Sequence, residues 1–386
     1  MPTESLGDIA EIIMGQSPSG DTCNASGSGL PLLNGPTEFG SHHPSPIQYT
    51  TDTRKRARPG DLLFCVRGST TGRMNWADRE YAIGRGIAAI RHKGGPEFQH
   101  FLRALVDYEL PTLLAQATGS TFPNVSGEQL ASIRCDMLDE NAQRAIAAVL
   151  GSLDDKIELN RRMNETLEAL AQSLFKSWFV DATQAGLPKG WHTGKITDIC
   201  TTQYGFTASA TEEPVGPKFL RVMDINKRNW IDWGAVPHCS ISGEDKSRYA
   251  LSVGDIVVAR MADPGKSAIV EQPIDAVFAS YLVRLKTESL AHAYYLYHFL
   301  KSQAYTEYSQ GAMSGSVQAN MNAKVIVDAE LPIPPIALMK AFLEKVLTFR
   351  QRIVANVEQS RTLAALRDAL LPKLLSGELR VPGEQD

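Results

Sequence analysis

The sequence predicts a mixed α/β (α+β) chain laid out as globular domain, long helix, globular domain, long helix. Three observations carry that prediction. An internal repeat of unusually long period runs through the 386 residues. Two amphipathic runs at matching places in the repeat keep 3- and 4-residue apolar steps over about three heptads. Short β-type runs, separated by Gly, Pro, Asn and Asp, precede each of them.

The repeat is read directly. Ala57-Arg58-Pro59-Gly60-Asp61-Leu62-Leu63-Phe64 returns as Leu251-Ser252-Val253-Gly254-Asp255-Ile256-Val257-Val258, 194 residues on. Ala89-Ile90-Arg91 is echoed by Val283-Arg284-Leu285-Lys286, and Gly119-Ser120 by Gly315-Ser316. Strands are predicted over 62–66, 87–90 and 255–259, and helical stretches near 97–116 and 289–308.

The strongest echo is helical. Leu153, Ile157, Asn160, Met163, Leu167, Leu170 and Leu174 are matched, 196 residues later, by Phe349, Ile353, Asn356, Gln359, Leu363, Leu366 and Leu370. One such seam is what a helix needs to pack on its own domain. Two, at matching repeat positions, predict a paired coiled coil. Asn160 and Asn356 fall in the seam; a buried Asn fixes register and partner, while one at the seam's edge is merely tolerated. Asp139 is a plausible N-cap and Pro335 a first-turn proline. The helices should end near Asp181 and near Ser376-Gly377, giving rods of about 60 Å.

Composition narrows the function. Hydrophobic residues are 43% and charged residues 21%, as in soluble globular proteins. No apolar run approaches membrane-spanning length, and the N-terminus has no export signal, so a cytoplasmic chain without membrane contact is expected. The five cysteines form no CxxC pair, which fits a reducing compartment and no structural zinc. A net charge of −4 argues against a protein that coats nucleic acid indiscriminately.

Catalytic motifs fail. Asp263-Pro264-Gly265-Lys266-Ser267 resembles the end of a phosphate loop, but Arg260 stands where its first Gly belongs. Gly15-Gln16-Ser17-Pro18-Ser19-Gly20 has the wrong spacing for a nucleophile elbow. The histidines lack ligand spacing, and neither a cofactor loop nor an Asn/Asp-Pro-Pro-aromatic tetrapeptide for amine methylation occurs. No catalytic or metal-ligating set is assigned, and no cofactor on this chain is expected.

Local charge points elsewhere. Residues 41–93 hold ten basic side chains against four acidic ones, a local +6, with Arg54, Lys55, Arg56, Arg58, Arg67, Arg73, Arg85 and Arg91 among them. Residues 218–286 carry only +2, with Lys218, Arg221, Lys227, Arg228, Arg248, Arg260, Lys266 and Arg284. Tyr204, Phe206, Trp230, Gln318 and Asn320 accompany these. Gln16 and Ser17, Ser120 and Thr121, and Ser316 and Gln318 lie in polar loops suited to base and phosphate contacts.

Leu6-Gly7-Asp8-Ile9 leading to Gly15-Gln16-Ser17-Pro18, the two Gly-Asp strands, Leu150-Gly151-Ser152-Leu153-Asp154-Asp155-Lys156-Ile157-Glu158-Leu159-Asn160, and Leu371-Pro372-Lys373-Leu374-Leu375-Ser376-Gly377-Glu378-Leu379 together resemble the specificity subunit of type I restriction–modification enzymes. The resemblance implies target-recognition domains at 1–138 and 182–334. A central conserved helix would occupy 139–181, and a distal conserved helix with its tail 335–386. Each domain would read half of a bipartite DNA site. The antiparallel helices would set the gap and dock two methyltransferase subunits, with two restriction subunits as optional further partners. S-adenosylmethionine would sit on the methyltransferase subunits, ATP and Mg on the restriction subunits. Since the 54–58 cluster has no counterpart in the second half, the target should be asymmetric. Competing readings are a coiled-coil adaptor with two protein-binding modules, and an enzyme with an unrecognised site.

Overall fold

A computed structural model describes residues 3–117, 123–136, 138–313 and 320–381. It divides into two compact units, Met1–Glu158 with Thr362–Asp386, and Leu159–Arg361. Each long helix, Glu140–Phe175 and Ile336–Leu375, contributes to both.

The repeat is a repeat of topology. The first unit holds a four-stranded antiparallel sheet in the order Ala10–Met14, Ile87–His92, Leu62–Cys65, Met74–Trp76. The second holds Cys200–Tyr204, Leu282–Thr287, Ile256–Ala259, Ser267–Ile269 in the same order. Each adds a parallel pairing: Leu30–Leu33 with Tyr81–Ile83, and Lys218–Leu220 with Ala276–Phe278.

Leu62–Cys65 and Ile256–Ala259 are apolar at every position because both of their faces are covered. Leu62 and Phe64 pack with Leu102 and Leu105 of the Gln99–Ala115 helix, while Leu63 and Cys65 turn to Tyr81 and Ile83. In the second unit Ile256 and Val258 meet Tyr295 and Leu296 of the Leu290–Phe299 helix, and Val257 and Ala259 meet Leu220 and Phe278.

The repeated Gly-Asp has a mechanical explanation. Gly60 and Gly254 sit at φ +86° and +93°, in the left-handed region that glycine adopts without penalty. The buried Asp61 carboxylate then accepts the Arg58 amide at 2.7 Å, and Asp255 accepts that of Ser252 at 2.9 Å. Arg91 adds two 2.7 Å bonds to Asp61, and Arg284 reaches Asp255 at 3.4 Å. Both arginines, counted above in basic surface patches, hold a turn to its neighbouring strand.

Asp139 caps the first long helix, its Oδ1 accepting the Ala142 amide at 2.8 Å. Beyond Phe175 that helix widens into a π-type turn over Lys176–Val180 and ends in a 3-10 turn at Asp181–Thr183. Pro335 lies immediately ahead of the second helix. The helices pair antiparallel within each unit. In the first, Ile146 and Leu150 share an apolar cluster with Leu374 and Leu375. In the second, Phe342 packs against Phe175 and Phe179, with ring centroids 5.9 and 5.1 Å apart.

The seam departs from the leucine pattern. Asn160, Asn356 and Ile353 are fully buried, but Leu153, Ile157, Leu167, Leu174, Phe349, Leu363 and Leu370 are only partly so. Leu170 and Leu366 are exposed at 47% and 46%. From Asn160 onward the buried positions are Asn164, Glu168, Ala171 and Phe175, one residue later than the heptad predicts. A straight helix of 3.6 residues per turn drifts off a 3.5 repeat, and the buried stripe follows the helix. Asn160 and Asn356 are thus core residues. The Asn160 Nδ2 donates to Gln359 and Ser360, and that of Asn356 to Asn164 at 2.8 Å.

Candidate nucleic-acid interface

In the first unit several predicted residues converge where the two sheets meet. The Gln16 amide donates to the Ile83 carbonyl at 2.9 Å, and the Ile83 amide to the Lys55 carbonyl at 3.0 Å. The Arg85 amide and guanidinium both lie 3.4 Å from the Ser17 hydroxyl. The Val66 amide donates to Gly86 and its carbonyl accepts from Val125, so Arg67 and Arg85 each flank one end of a short bonded link. Arg67 Nε donates to Asn124 Oδ1 at 3.1 Å. Gly15 makes the approach possible: a Cβ there would lie 2.2 Å from the Gly84 carbonyl oxygen. The edge thus presents Gln16, Ser17, Lys55, Arg67 and Arg85, with the exposed cations joined through backbone bonds.

Other predicted residues are engaged locally. Arg54 pairs with Asp52 at 2.7 Å and Arg56 with Glu80 at 3.7 Å, both arginines being exposed. Arg58 is exposed next to its Gly-Asp turn. Arg73 donates to the Pro36 and Phe39 carbonyls, which ties down a loop.

The second unit repeats the edge with different side chains. A Cβ on Gly205 would lie 2.2 Å from the Ala279 carbonyl oxygen, as at Gly15, and the Phe206 amide donates to Phe278 at 2.8 Å. The Arg260 guanidinium lies over the Tyr204 ring at 5.0 Å, and Phe206 packs on Tyr249 at 5.4 Å. Lys227 and Lys266 are exposed. Arg221 is drawn away into a bidentate pair with Asp224, Arg228 pairs with Asp232 at 3.2 Å, and Lys218 donates to the Val236 carbonyl. Trp230 is 7% exposed and belongs to the interior. Ser120, Thr121, Ser316 and Gln318 lie outside the described residues.

Sequence reasoning missed a buried ionic cluster in the second unit. Arg350 donates to Glu168, and to both Glu271 oxygens at 2.6 and 2.7 Å. Lys301 pairs with Glu168, and the Tyr297 hydroxyl donates to the Asn229 carbonyl at 3.0 Å. Burial pushes Glu271 up and Lys301 and Arg350 down. Their mutual attraction opposes this. The signal was present but opaque: Arg350 follows Val346 by four residues and precedes Ile353 by three, so it occupies the seam.

Among the described residues no group of His, Cys, Asp and Glu could hold a metal. No helix there is long and apolar enough to cross a membrane. Two matching sheet edges on a duplicated scaffold, with one long helix between the halves and another after the second, define a two-domain repeat protein. Residues 2–169 and 188–355 each match the model of the type I restriction modification DNA specificity domain, and the chain belongs to that family. It is a type I specificity subunit with two copies of the recognition domain. The HindI specificity subunit of Haemophilus influenzae is 22% identical over 84% of this chain and 88% of its own length. The MjaIX specificity subunit of Methanocaldococcus jannaschii is 28% identical over 68% of this chain and 64% of its own. The crystal structure of the M. genitalium S subunit shares the fold with a TM-score of 0.60 at 16% identity, covering 97% of this chain and 96% of that one.

Proposed function

We propose that this chain gives a type I restriction–modification complex its DNA target and supplies no catalysis of its own. One recognition domain lies within 1–138 and the other within 182–334. Each reads one half of a bipartite site in double-stranded DNA. The helices at 139–181 and 335–386 hold the readers apart and dock two methyltransferase subunits. Those subunits carry S-adenosylmethionine; restriction subunits, where present, bring ATP and Mg chemistry. The work is done in the cytoplasm, where the genome is.

The observation that supports this most directly is the duplicated edge. Gly15 and Gly205 make the same close approach to a neighbouring carbonyl, yet the side chains around them differ. Equivalent backbone with different donors favours two different half-sites, hence an asymmetric target. The candidate contacts are Gln16, Ser17, Arg54, Lys55, Arg56, Arg58, Arg67 and Arg85 in the first domain, and Tyr204, Phe206, Lys227, Arg260 and Lys266 in the second.

The test is a methylome. The chain is co-expressed with its methyltransferase partner in a methylation-free host, and N6-methyladenine is mapped. A bipartite, asymmetric motif that disappears when the chain is omitted supports the assignment; a motif independent of the chain overturns it. Matched seven-residue insertions in both helices should lengthen the gap and leave the half-sites unchanged, and altered half-sites would sink the spacer role.

A further inference from the structure

The hairpin loops that follow the buried Gly-Asp strands differ at one position in a way the fold does not require. Val66 and Arg260 are equivalent, 194 residues apart. Their backbones make the same bonds: the Val66 amide donates to Gly86 at 2.9 Å and its carbonyl accepts from Val125 at 3.0 Å. The Arg260 amide donates to Tyr281 at 3.0 Å and its carbonyl accepts from Met321 at 2.9 Å. In the first unit the side chain is apolar and fully buried. In the second it is an arginine, half-buried, with no ion-pair partner among the described residues. Its Nε is buried and finds no acceptor among the described residues.

Placing an unpaired guanidinium where the scaffold accepts valine is costly, because the buried Nε loses its hydration without replacement. The surroundings hold it in place. The Tyr204 ring lies beneath it, and the Tyr204 hydroxyl accepts the Ala323 amide at 2.9 Å. Tyr204, whose ring carries the arginine, and Tyr281, whose carbonyl accepts its amide, are 42% and 56% exposed, so the edge faces solvent. Two residues on, Ala262 sits at φ +64°, a left-handed conformation that Gly68 occupies at φ +96° in the first unit. A strained alanine and a stacked arginine whose end nitrogens are not buried and have no acceptor among the described residues, together in one short loop, indicate a segment shaped for an external acceptor.

We propose that Arg260 is a specificity-determining residue of the second recognition domain and reads a guanine through its O6 and N7 edge. The proposal rests on the DNA-reading function above. Arg is the side chain whose planar fork matches that edge bidentately, and stacking on Tyr204 leaves its end nitrogens as the outward donors.

The experiment compares methylomes of the full complex carrying wild-type chain, Arg260→Ala or Arg260→Lys. In wild type one half-site contains a required G:C pair. With Arg260→Ala, preference at that single pair should fall by about tenfold to a hundredfold while the other half-site is unchanged. Arg260→Lys should retain methylation but with the G:C requirement relaxed. An unchanged motif in Arg260→Ala overturns the proposal. So does full restoration of preference by lysine, which marks a phosphate contact, or loss of all methylation in both variants, which marks a structural role. A wild-type chain that directs no bipartite motif overturns the DNA-reading function itself, so the two failures are told apart.

Discussion

The two units meet the long helices with opposite chemistry. In the second, Arg350, Glu168, Lys301 and Glu271 are sealed inside, and every charge has a partner within the cluster. In the first, the equivalent of Arg350 is Asp154, that of Lys301 is Asp107 and that of Tyr297 is Arg103. There an open cleft of about 450 Å³ remains, lined also by His100, Arg367 and Leu371. Its Arg367–Asp154 pair, at 2.7 Å, is 31% and 20% exposed. One scaffold therefore tolerates both a closed ionic core and a wet ion pair. Charge pairs at the helix junction are a local choice of each unit and not a condition of the fold.

The largest expected effect tests that contrast. Arg350→Met leaves Glu271 buried without its bidentate partner and should cost about 3–5 kcal/mol. The matching disruption, Arg367→Ala, removes a pair that water already screens and should cost about 1 kcal/mol or less. Urea unfolding followed by tryptophan fluorescence measures both, and four of the five tryptophans (178, 191, 230 and 233) belong to the second unit. Equal losses would mean that the buried cluster adds nothing beyond a surface pair.

The Gly-Asp turns offer the reverse contrast, since here the first unit is the tighter. Arg91→Ala strands the buried Asp61, which loses two 2.7 Å bonds, and should cost about 2–3 kcal/mol. Arg284→Ala takes from Asp255 only one 3.4 Å contact, its other bonds going to the Ala250 carbonyl and the Gln203 side chain, which can turn to water, and should cost about half as much. A larger loss from Arg284→Ala would show that its bond to the Ala250 carbonyl, at 2.7 Å, is the one that matters.

Acid should weaken the second unit through His298, whose counterpart in the first is Ala104. His298 is fully buried, its Nδ1 lies 3.0 Å from Gln172, and burial pushes its pKa down to about 3. The folded imidazole stays neutral while the unfolded one, near 6.5, takes up a proton. Stability is therefore complete above about pH 6.5 and falls steadily as the pH drops toward 3. His298→Gln should flatten that slope in urea titrations between pH 6.5 and 4. A slope that persists belongs to another group, His92 of the first unit being the next candidate, as burial lowers it too.

Much of this was legible in the sequence. The all-apolar Leu62–Cys65 and Ile256–Ala259, the two Gly-Asp turns and the 36- and 40-residue helices were readable because strand burial, glycine geometry and helical period are local properties. What stayed hidden is set by tertiary pairing. Arg91 and Arg284 read as surface charge because their carboxylate partners lie on neighbouring strands. Glu168 and Arg350 drew no reading because a polar residue one step off the heptad looks like the outer face. The difference between Val66 and Arg260 could have been found by laying the repeat on itself, but its meaning needed the shared backbone bonds.

The smallest expected effect returns to the hairpins. Gly68 and Ala262 hold the same left-handed place, so exchanging them isolates the cost of a Cβ there. Nothing lies within 4 Å of a Cβ added to Gly68, so Gly68→Ala pays only for conformation, about 1–2 kcal/mol less the chain entropy that alanine saves. Ala262→Gly relieves the same strain but gives the unfolded chain more freedom, and should stabilise by less than about 1 kcal/mol. If Ala262→Gly instead destabilises while leaving the melting of the first unit alone, the alanine contributes contacts of its own. If it stabilises yet loosens the G:C preference tested through Arg260, the strained alanine is what holds that loop in its reading conformation.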